Sequence, residues 1–268
     1  MDITLILGYI GALLIGVVLG LVGGGGSILT VPVLVYLFGV APVLATAYSL
    51  FIVGLSSLFG AVQNMKKGLI DFKTAAIFSV PAFIAVYLTR KFLVPAIPET
   101  IFEVSGFTLT KPIAIMVFFA LIMFAAALAM IRDKCVGDDC HDENRTVVYN
   151  YPMILLEGSV VGVLTGIVGA GGGFLIIPAL VLMAKLPMKK AVATSLLIIA
   201  VKSLIGFIGD VENLELDWSF LGFFTLLAVV GIFLGIFLNK WIPGEKLKKV
   251  FGWFVLVMAI YILYKELF

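Results

Sequence analysis

A lysine inside an apolar run and two clusters of glycine are the residues of this chain that could do chemistry. Lys202 sits in the stretch 189–208 among Ala200, Val201, Leu204 and Ile205. As a helix at about 1.5 Å per residue, the run from Lys189 carries it about 20 Å inward, too deep to reach back to the near surface. An ionisable group in hydrocarbon costs about 3 kcal/mol or more and is by default functional. Lys202 could bind an anion or change its protonation during a working cycle. The alternatives are a stem stretched outward past Asp210 and a structural ion pair.

The glycines could supply the rest of an anion site. Gly23-Gly24-Gly25-Gly26-Ser27 precedes one short apolar run, and Gly169-Ala170-Gly171-Gly172-Gly173 precedes another. Backbone that leaves a helix at membrane depth is tolerated only where protein buries it or it lines a polar cavity. If Ser27 and Phe174 begin short helices there, their orphan amides and the positive dipole end face inward, which suits an anion. Close helix packing is the plainer use of small residues. Gly16, Gly20, Gly162 and Gly166 are assigned to it, whereas a run of four glycines exceeds what packing needs. Hydroxyls recur at Thr46, Ser49, Ser56, Ser57, Thr194, Ser195 and Ser203, several spaced to share a helix face. They could ligate an oxyanion or bond back to a carbonyl one turn earlier. The candidate substrate-binding residues are Gly24, Gly25, Gly26, Ser27, Ser49, Gly171, Gly172, Gly173, Thr194, Ser195 and Lys202.

Ten apolar segments position these residues: 3–22, 27–38, 43–63, 73–94 and 112–131, then 152–168, 173–184, 189–208, 218–238 and 248–267. Eight approach the roughly 20 residues that cross hydrocarbon. The two short ones, 27–38 and 173–184, directly follow the glycine clusters. A shift of 146 residues aligns 16–60 with 162–206 without gaps and continues to Asp71 and Phe72, which meet Asp217 and Trp218. Gly16, Gly20, Gly23 and Pro32 meet Gly162, Gly166, Gly169 and Pro178, while Ser49, Ser57 and Asp71 meet Ser195, Ser203 and Asp217. Chance would match Leu, Val and Ala, but not so many Gly, Pro, Ser and Asp, so the chain is an internal duplication. The domains are a first transmembrane repeat over 1–131, a cytoplasmic polar linker over 132–150 and a second repeat over 151–268.

Of the 268 residues 62% are hydrophobic and 13% charged, against about a quarter charged in soluble domains. The expected class is an all-α polytopic membrane protein. The net charge of +2 gives nucleic acid no purchase. Residues 3–22 lack a basic n-region and read as a retained segment rather than a signal peptide. Cys135, Cys140 and His141 could supply three metal ligands, with Asp138 or Asp142 as a fourth. Zinc ligands favour tighter paired spacing, so a solvated loop is the preferred reading and no metal or cofactor is expected. The one histidine lies in that loop, and the glycine runs lack the G-K-[ST] ending of a phosphate loop, so no enzyme is expected.

Loop charges set the topology. Lys66, Lys67 and Lys73, then Arg132, Lys134 and Arg145, then Lys185, Lys189 and Lys190, then Lys240, Lys246, Lys248 and Lys249 mark four basic loops. Loop 209–217 holds Asp210, Glu212, Glu215 and Asp217 without a Lys or Arg, and loop 91–111 is mixed, with Arg90 and Lys91 at its start. The positive-inside rule puts the basic loops in the cytoplasm and the acidic loop outside. Each half then makes one hairpin and three crossings. The repeats are inverted, each a broken-helix hairpin plus three transmembrane helices, and both termini lie outside. Inverted repeats around discontinuous helices are a plan of secondary transporters.

The stretches LVGGGGSILTVPVL at 21–34, IVGAGGGFLIIPAL at 167–180 and MKKAVATSLLIIAVKSLIGFIGD at 188–210 resemble the sulfite exporter TauE/SafE family of membrane proteins over nearly the whole chain. The resemblance implies export of sulfite or an organosulfonate such as sulfoacetate from the cytoplasm. The first repeat carries Ala47-Tyr48-Ser49 where the second carries Ala193-Thr194-Ser195, so the second copy, with Lys202, should hold more of the anion. The expected partners are a small anionic substrate and the lipid bilayer, with no nucleic acid; a homo-oligomer stays open. The rival readings are a cation- or proton-coupled carrier or channel using Glu157 or Asp210, and a membrane-embedded enzyme.

Overall fold

The computed structural model describes residues 3–24, 26–104, 107–132, 151–168, 172–182, 186–211, 213–239, 241 and 244–267. Gly25, Gly171 and the Cys135, Cys140 and His141 group of the linker lie outside these. The first half contains α1 (Ile3–Val22), α2 (Ser27–Phe38), α3 (Pro42–Lys66) and α4 (Phe72–Leu88). A π-helical turn over Thr89–Leu93 and the short α5 (Val94–Ala96) extend α4, a hairpin of β1 (Thr100–Val104) and β2 (Phe107–Thr110) follows, and α6 (Lys111–Arg132) closes the half. The second half is α7 (Tyr151–Val168), α8 (Gly173–Leu182), α9 (Met188–Val211), α10 (Trp218–Leu238) and α11 (Gly244–Leu267).

The protein is an all-α polytopic membrane protein apart from that antiparallel hairpin. By length and composition, five helices among the described residues can cross a membrane: Pro42–Lys66, Phe72–Ala96, Lys111–Ala129, Lys189–Val211 and Trp218–Leu238. Hydroxyls and a few charges lie inside the bundle, while Leu226, Phe237, Trp253 and Val257 point outward. An apolar exterior around a partly polar interior suits a lipid solvent.

Local chemistry explains the ends of the elements. Asp71 caps α4 by accepting from the Thr74 N–H at 2.9 Å, and Asp217 caps α10 by accepting from Ser219 and Phe220 at 3.0 Å. A side-chain acceptor there satisfies amides that the helix leaves unpaired. Two boundaries correct the sequence reading. Helix α9 runs on to Val211, so Asp210 is a buried helical residue and not part of an acidic loop. The mixed stretch 91–111 holds a π turn and a hairpin rather than a plain loop.

Side-chain contacts fix how the helices run. Gly8 packs on Phe38, Gly11 on Val33 and Gly26 on Ile15 and Leu19, and the Tyr9 and Phe38 rings meet edge-on at 5.4 Å. Helix α2 therefore folds back along α1. Helices α3 and α9 cross antiparallel, with Leu50 at Gly206, Gly54 at Leu204 and Gly60 at Leu196. At one end of this crossing the Asp71 N–H donates to Thr194 Oγ1 at 3.0 Å. At the other the Asp217 N–H donates to Tyr48 Oη at 2.8 Å. Lys66, Lys67, Lys189 and Lys190 thus share one end of the bundle with Asp71, and Glu215 shares the opposite end with Asp217.

Contacts also exchange under the 146-residue shift. The Asp71–Thr194 bond maps onto Asp217–Tyr48, and the contact of Gly16 with Ala228 maps onto that of Gly162 with Ala82. Helix α1 packs on α10 as α7 packs on α4. Gly16, Gly20, Gly162 and Gly166 do the packing assigned to them: a methyl at Gly16, Gly20 or Gly162 would strike the backbone of the facing helix, and at Gly166 it would strike Thr89. Such close approach suits helices whose association gains little from the hydrophobic effect in lipid.

Candidate functional site

The two glycine breaks touch. Beyond α1, Gly23 takes φ +83°, a left-handed conformation that glycine adopts without the Cβ penalty. Ser27 Oγ donates to the Gly24 carbonyl at 2.6 Å. In the second repeat Gly172 takes φ +68°, and its carbonyl accepts from Leu175 at 3.0 Å and Ile176 at 3.1 Å as α8 begins. A methyl built on Gly24 would fall on the Gly173 backbone, and one on Gly173 would fall on Gly24. The backbones of the two half-breaks are thus in direct contact, which only glycine permits.

Lys202 lies beside this junction and is 0% exposed. Its Nζ donates to Thr165 Oγ1 at 2.7 Å, and the position a Gly172 Cβ would take is 2.5 Å from that nitrogen. Neither of its two sequence alternatives fits: the stem does not reach solvent, and no ion pair to Lys202 occurs among the described residues. The other buried charges described are Arg90, Lys111 and Asp210. Arg90 faces Asp210 at 3.5 Å and Lys111 faces Glu99 at 3.7 Å, so Lys202 is the uncompensated one.

The repeat sharpens its position. Under the shift, Lys202 corresponds to Ser56 and Ser203 to Ser57, and all four lie on the stretch where α3 and α9 cross. The hydroxyls of Ser56, Ser57 and Ser203 are buried without a hydrogen-bond partner. Lys202 thus lies on the same packed α3–α9 stretch as three hydroxyls without a hydrogen-bond partner. Ser49 is also buried with an open hydroxyl, nearer the start of α3.

The remaining candidates are placed differently. Ser195 Oγ donates back to the Val192 carbonyl at 2.8 Å. Thr194 accepts from the Asp71 amide, and it lies about 12 Å from Lys202 along α9, so the two do not form one cluster. Gly26 precedes α2 in right-handed backbone, with no side-chain cap. Sequence reasoning missed Thr165 and Arg90. Thr165 has Leu19 as its repeat mate, so the duplication gave no hint of it. Arg90 lies inside the apolar run 73–94, with Phe92, Leu93 and Val94 beyond it, and that continuation was the available signal.

The Tyr48 and Thr194 bonds latch opposite ends of the α3–α9 crossing. Tyr48→Phe should speed amide hydrogen exchange at Asp217 about fivefold, the effect of losing about 1 kcal/mol, and leave Asp71 unchanged. Thr194→Val should do the converse. Exchange measured by mass spectrometry on the purified protein checks both, and equal effects at the two ends would mean that the latches do not act separately.

A lipid-facing helix bundle whose interrupted helices meet beside a buried, uncompensated cation is a membrane transporter architecture. The sulfite exporter TauE/SafE family model matches residues 8–263, and the chain belongs to that family. A "Probable membrane transporter protein" of Xylella fastidiosa is 29% identical over 94% of this chain and 92% of its own. The "Probable membrane transporter protein YunE" of Bacillus subtilis is 25% identical over 96% of each chain. One from Methanocaldococcus jannaschii is 32% identical over 41% of this chain and 43% of its own. No solved structure matches.

Proposed function

We propose that this transporter exports a small sulfur-containing oxyanion, sulfite or an organosulfonate such as sulfoacetate, from the cytoplasm by alternating access. The observation that carries this is Lys202, fully buried at the glycine junction with no carboxylate among the described residues to balance it. A buried charge is stable only when paired or solvated by fixed dipoles. A bound anion completes the pairing, with Thr165 and the hydroxyls of Ser56, Ser57 and Ser203 replacing part of its water. The amides at Gly24, Gly26, Gly172 and Gly173 complete the coordination, and Ser49 extends the polar lining; the Ser27 amide instead donates to the Gly24 carbonyl at 3.3 Å. Asp210, one of the two carboxylates named for a cation-coupled carrier, already faces Arg90.

The protein sits in the cell membrane with the lysine-rich end of the bundle in the cytoplasm and the Glu215 end outside, following the positive-inside rule. Opening then alternates between the Thr194 and Tyr48 latches as the repeats rock about the α3–α9 crossing. A membrane potential negative inside drives an anion outward with about 2.3 kcal/mol per charge at 100 mV.

Purified protein in liposomes should move labelled sulfite or sulfoacetate faster than acetate, and faster when the potential expels anions. Flux no greater than in protein-free vesicles for every sulfur oxyanion would remove the substrate assignment. In the same vesicles, single cysteines at 67 and 215 should react with an impermeant reagent from opposite sides.

A further inference from the structure

A second buried cation lies apart from the glycine junction, on the π turn. Arg90 is 0% exposed, and its Nη1 donates to Thr46 Oγ1 at 3.0 Å and faces Asp210 Oδ2 at 3.5 Å. Its Nε and Nη2 have no hydrogen-bond partner, and neither does Asp210 Oδ2. The pair is therefore loose, and one whole edge of the guanidinium stays open inside the protein. Burying such a pair costs more than its attraction returns unless further hydrogen bonds complete it. The π turn carries Arg90 inward, and its Cβ packs against Gly209 of α9.

The fold does not itself require these charges. Under the repeat shift Arg90 corresponds to Ile236 and Asp210 to Asn64, whose Nδ2 donates to the Gly60 carbonyl at 3.0 Å. At the equivalent position the pair is thus an isoleucine and an asparagine, which carry no charge. The charged version lies at the end that the Tyr48–Asp217 bond closes, about 12 Å along α9 from Lys202.

We infer that Arg90 is a second oxyanion-binding residue, receiving two oxygens of a sulfite or sulfonate on its open Nε–Nη2 edge, with Asp210 as the built-in competitor that keeps this site weak. The parallel N–H groups of a guanidinium edge match two oxygens of one oxyanion. Asp210 pairs with Arg90 when no anion is present and repels the anion once it arrives, which favours release at the Glu215 end. The inference rests on the oxyanion reading above.

The test uses full-length protein in detergent and radiolabelled sulfite and methanesulfonate as probes. Wild type should show a tighter class of sites and a weaker one. Asp210→Asn should tighten the weaker class on the order of tenfold, as expected from removing one nearby like charge in a partly screened site. Arg90→Gln leaves Asp210 buried and alone, so the decisive variant is Arg90→Gln with Asp210→Asn, which removes both charges together. That double variant, checked for folding by its melting curve, should lose the weaker class and keep the tighter one. Retention of both classes overturns the Arg90 site and leaves the transport reading standing. Binding of neither probe by wild type overturns both.

Discussion

Lys202→Met should sharply slow oxyanion transport at low substrate concentration and leave the protein folded. The ammonium supplies the one uncompensated buried positive charge among the described residues. Hydrogen bonds to charged groups contribute about 1.5–3 kcal/mol, so removing this one should weaken sulfite affinity roughly 10- to 150-fold. Stability should not fall in step. An unbranched methionine fills the volume of the lysine stem, and replacing a buried charge by an apolar group is often neutral or stabilising. The change leaves Thr165 Oγ1 without its donor from Lys202, although Thr165 still has the Gly162 carbonyl at 3.4 Å. Initial rates of sulfite efflux from liposomes and melting curves in detergent separate the two effects. Unchanged rate and half-saturation would remove Lys202 from the site. Lys189→Met, at an exposed position where α9 starts, should change neither and serves as the control.

The fold and the site differed in how far the sequence disclosed them, and the reasons are physical. Helix positions follow from apolar runs, and the close-packing glycines from their spacing, because both are properties of one segment at a time. The repeat marked Asp71 and Asp217 as equivalents, and the structure finds both as helix caps. Contacts between halves were harder to see. Lys202 was evident as a charge in an apolar run, yet its partner Thr165 lies 37 residues away in sequence and has no polar repeat mate. Thr194 read as an anion ligand because it neighbours Ser195 on α9, whereas its hydroxyl meets a backbone amide across the bundle. Arg90 reads as a loop edge because Arg90-Lys91 is a basic pair near the end of an apolar run, and such side chains ordinarily reach the interface. The π turn adds a residue to the coil and brings it inside instead, and nothing local in the sequence specifies that turn.

Gly172→Ala should both destabilise the protein and impair transport, and Gly39→Ala isolates the two causes. The residues have nearly the same backbone, φ +68° and +66°, so an alanine at either pays the left-handed penalty of about 1–2 kcal/mol. Their surroundings differ completely. A Cβ on Gly39 meets nothing within 4 Å. A Cβ on Gly172 collides with the Thr165 side chain and comes within 2.5 Å of Lys202 Nζ. Overpacking of this kind adds about 1–3 kcal/mol, and relief is available only by moving the hydroxyl and ammonium that define the site. Gly39→Ala should therefore lower the melting temperature modestly and keep sulfite flux. Gly172→Ala should lower it further and lose most flux even below the melting range. Equal melting shifts and equal flux in the two variants would mean that Lys202 is not held against the glycine break, and the anion site would have to be sought elsewhere along the α3–α9 crossing.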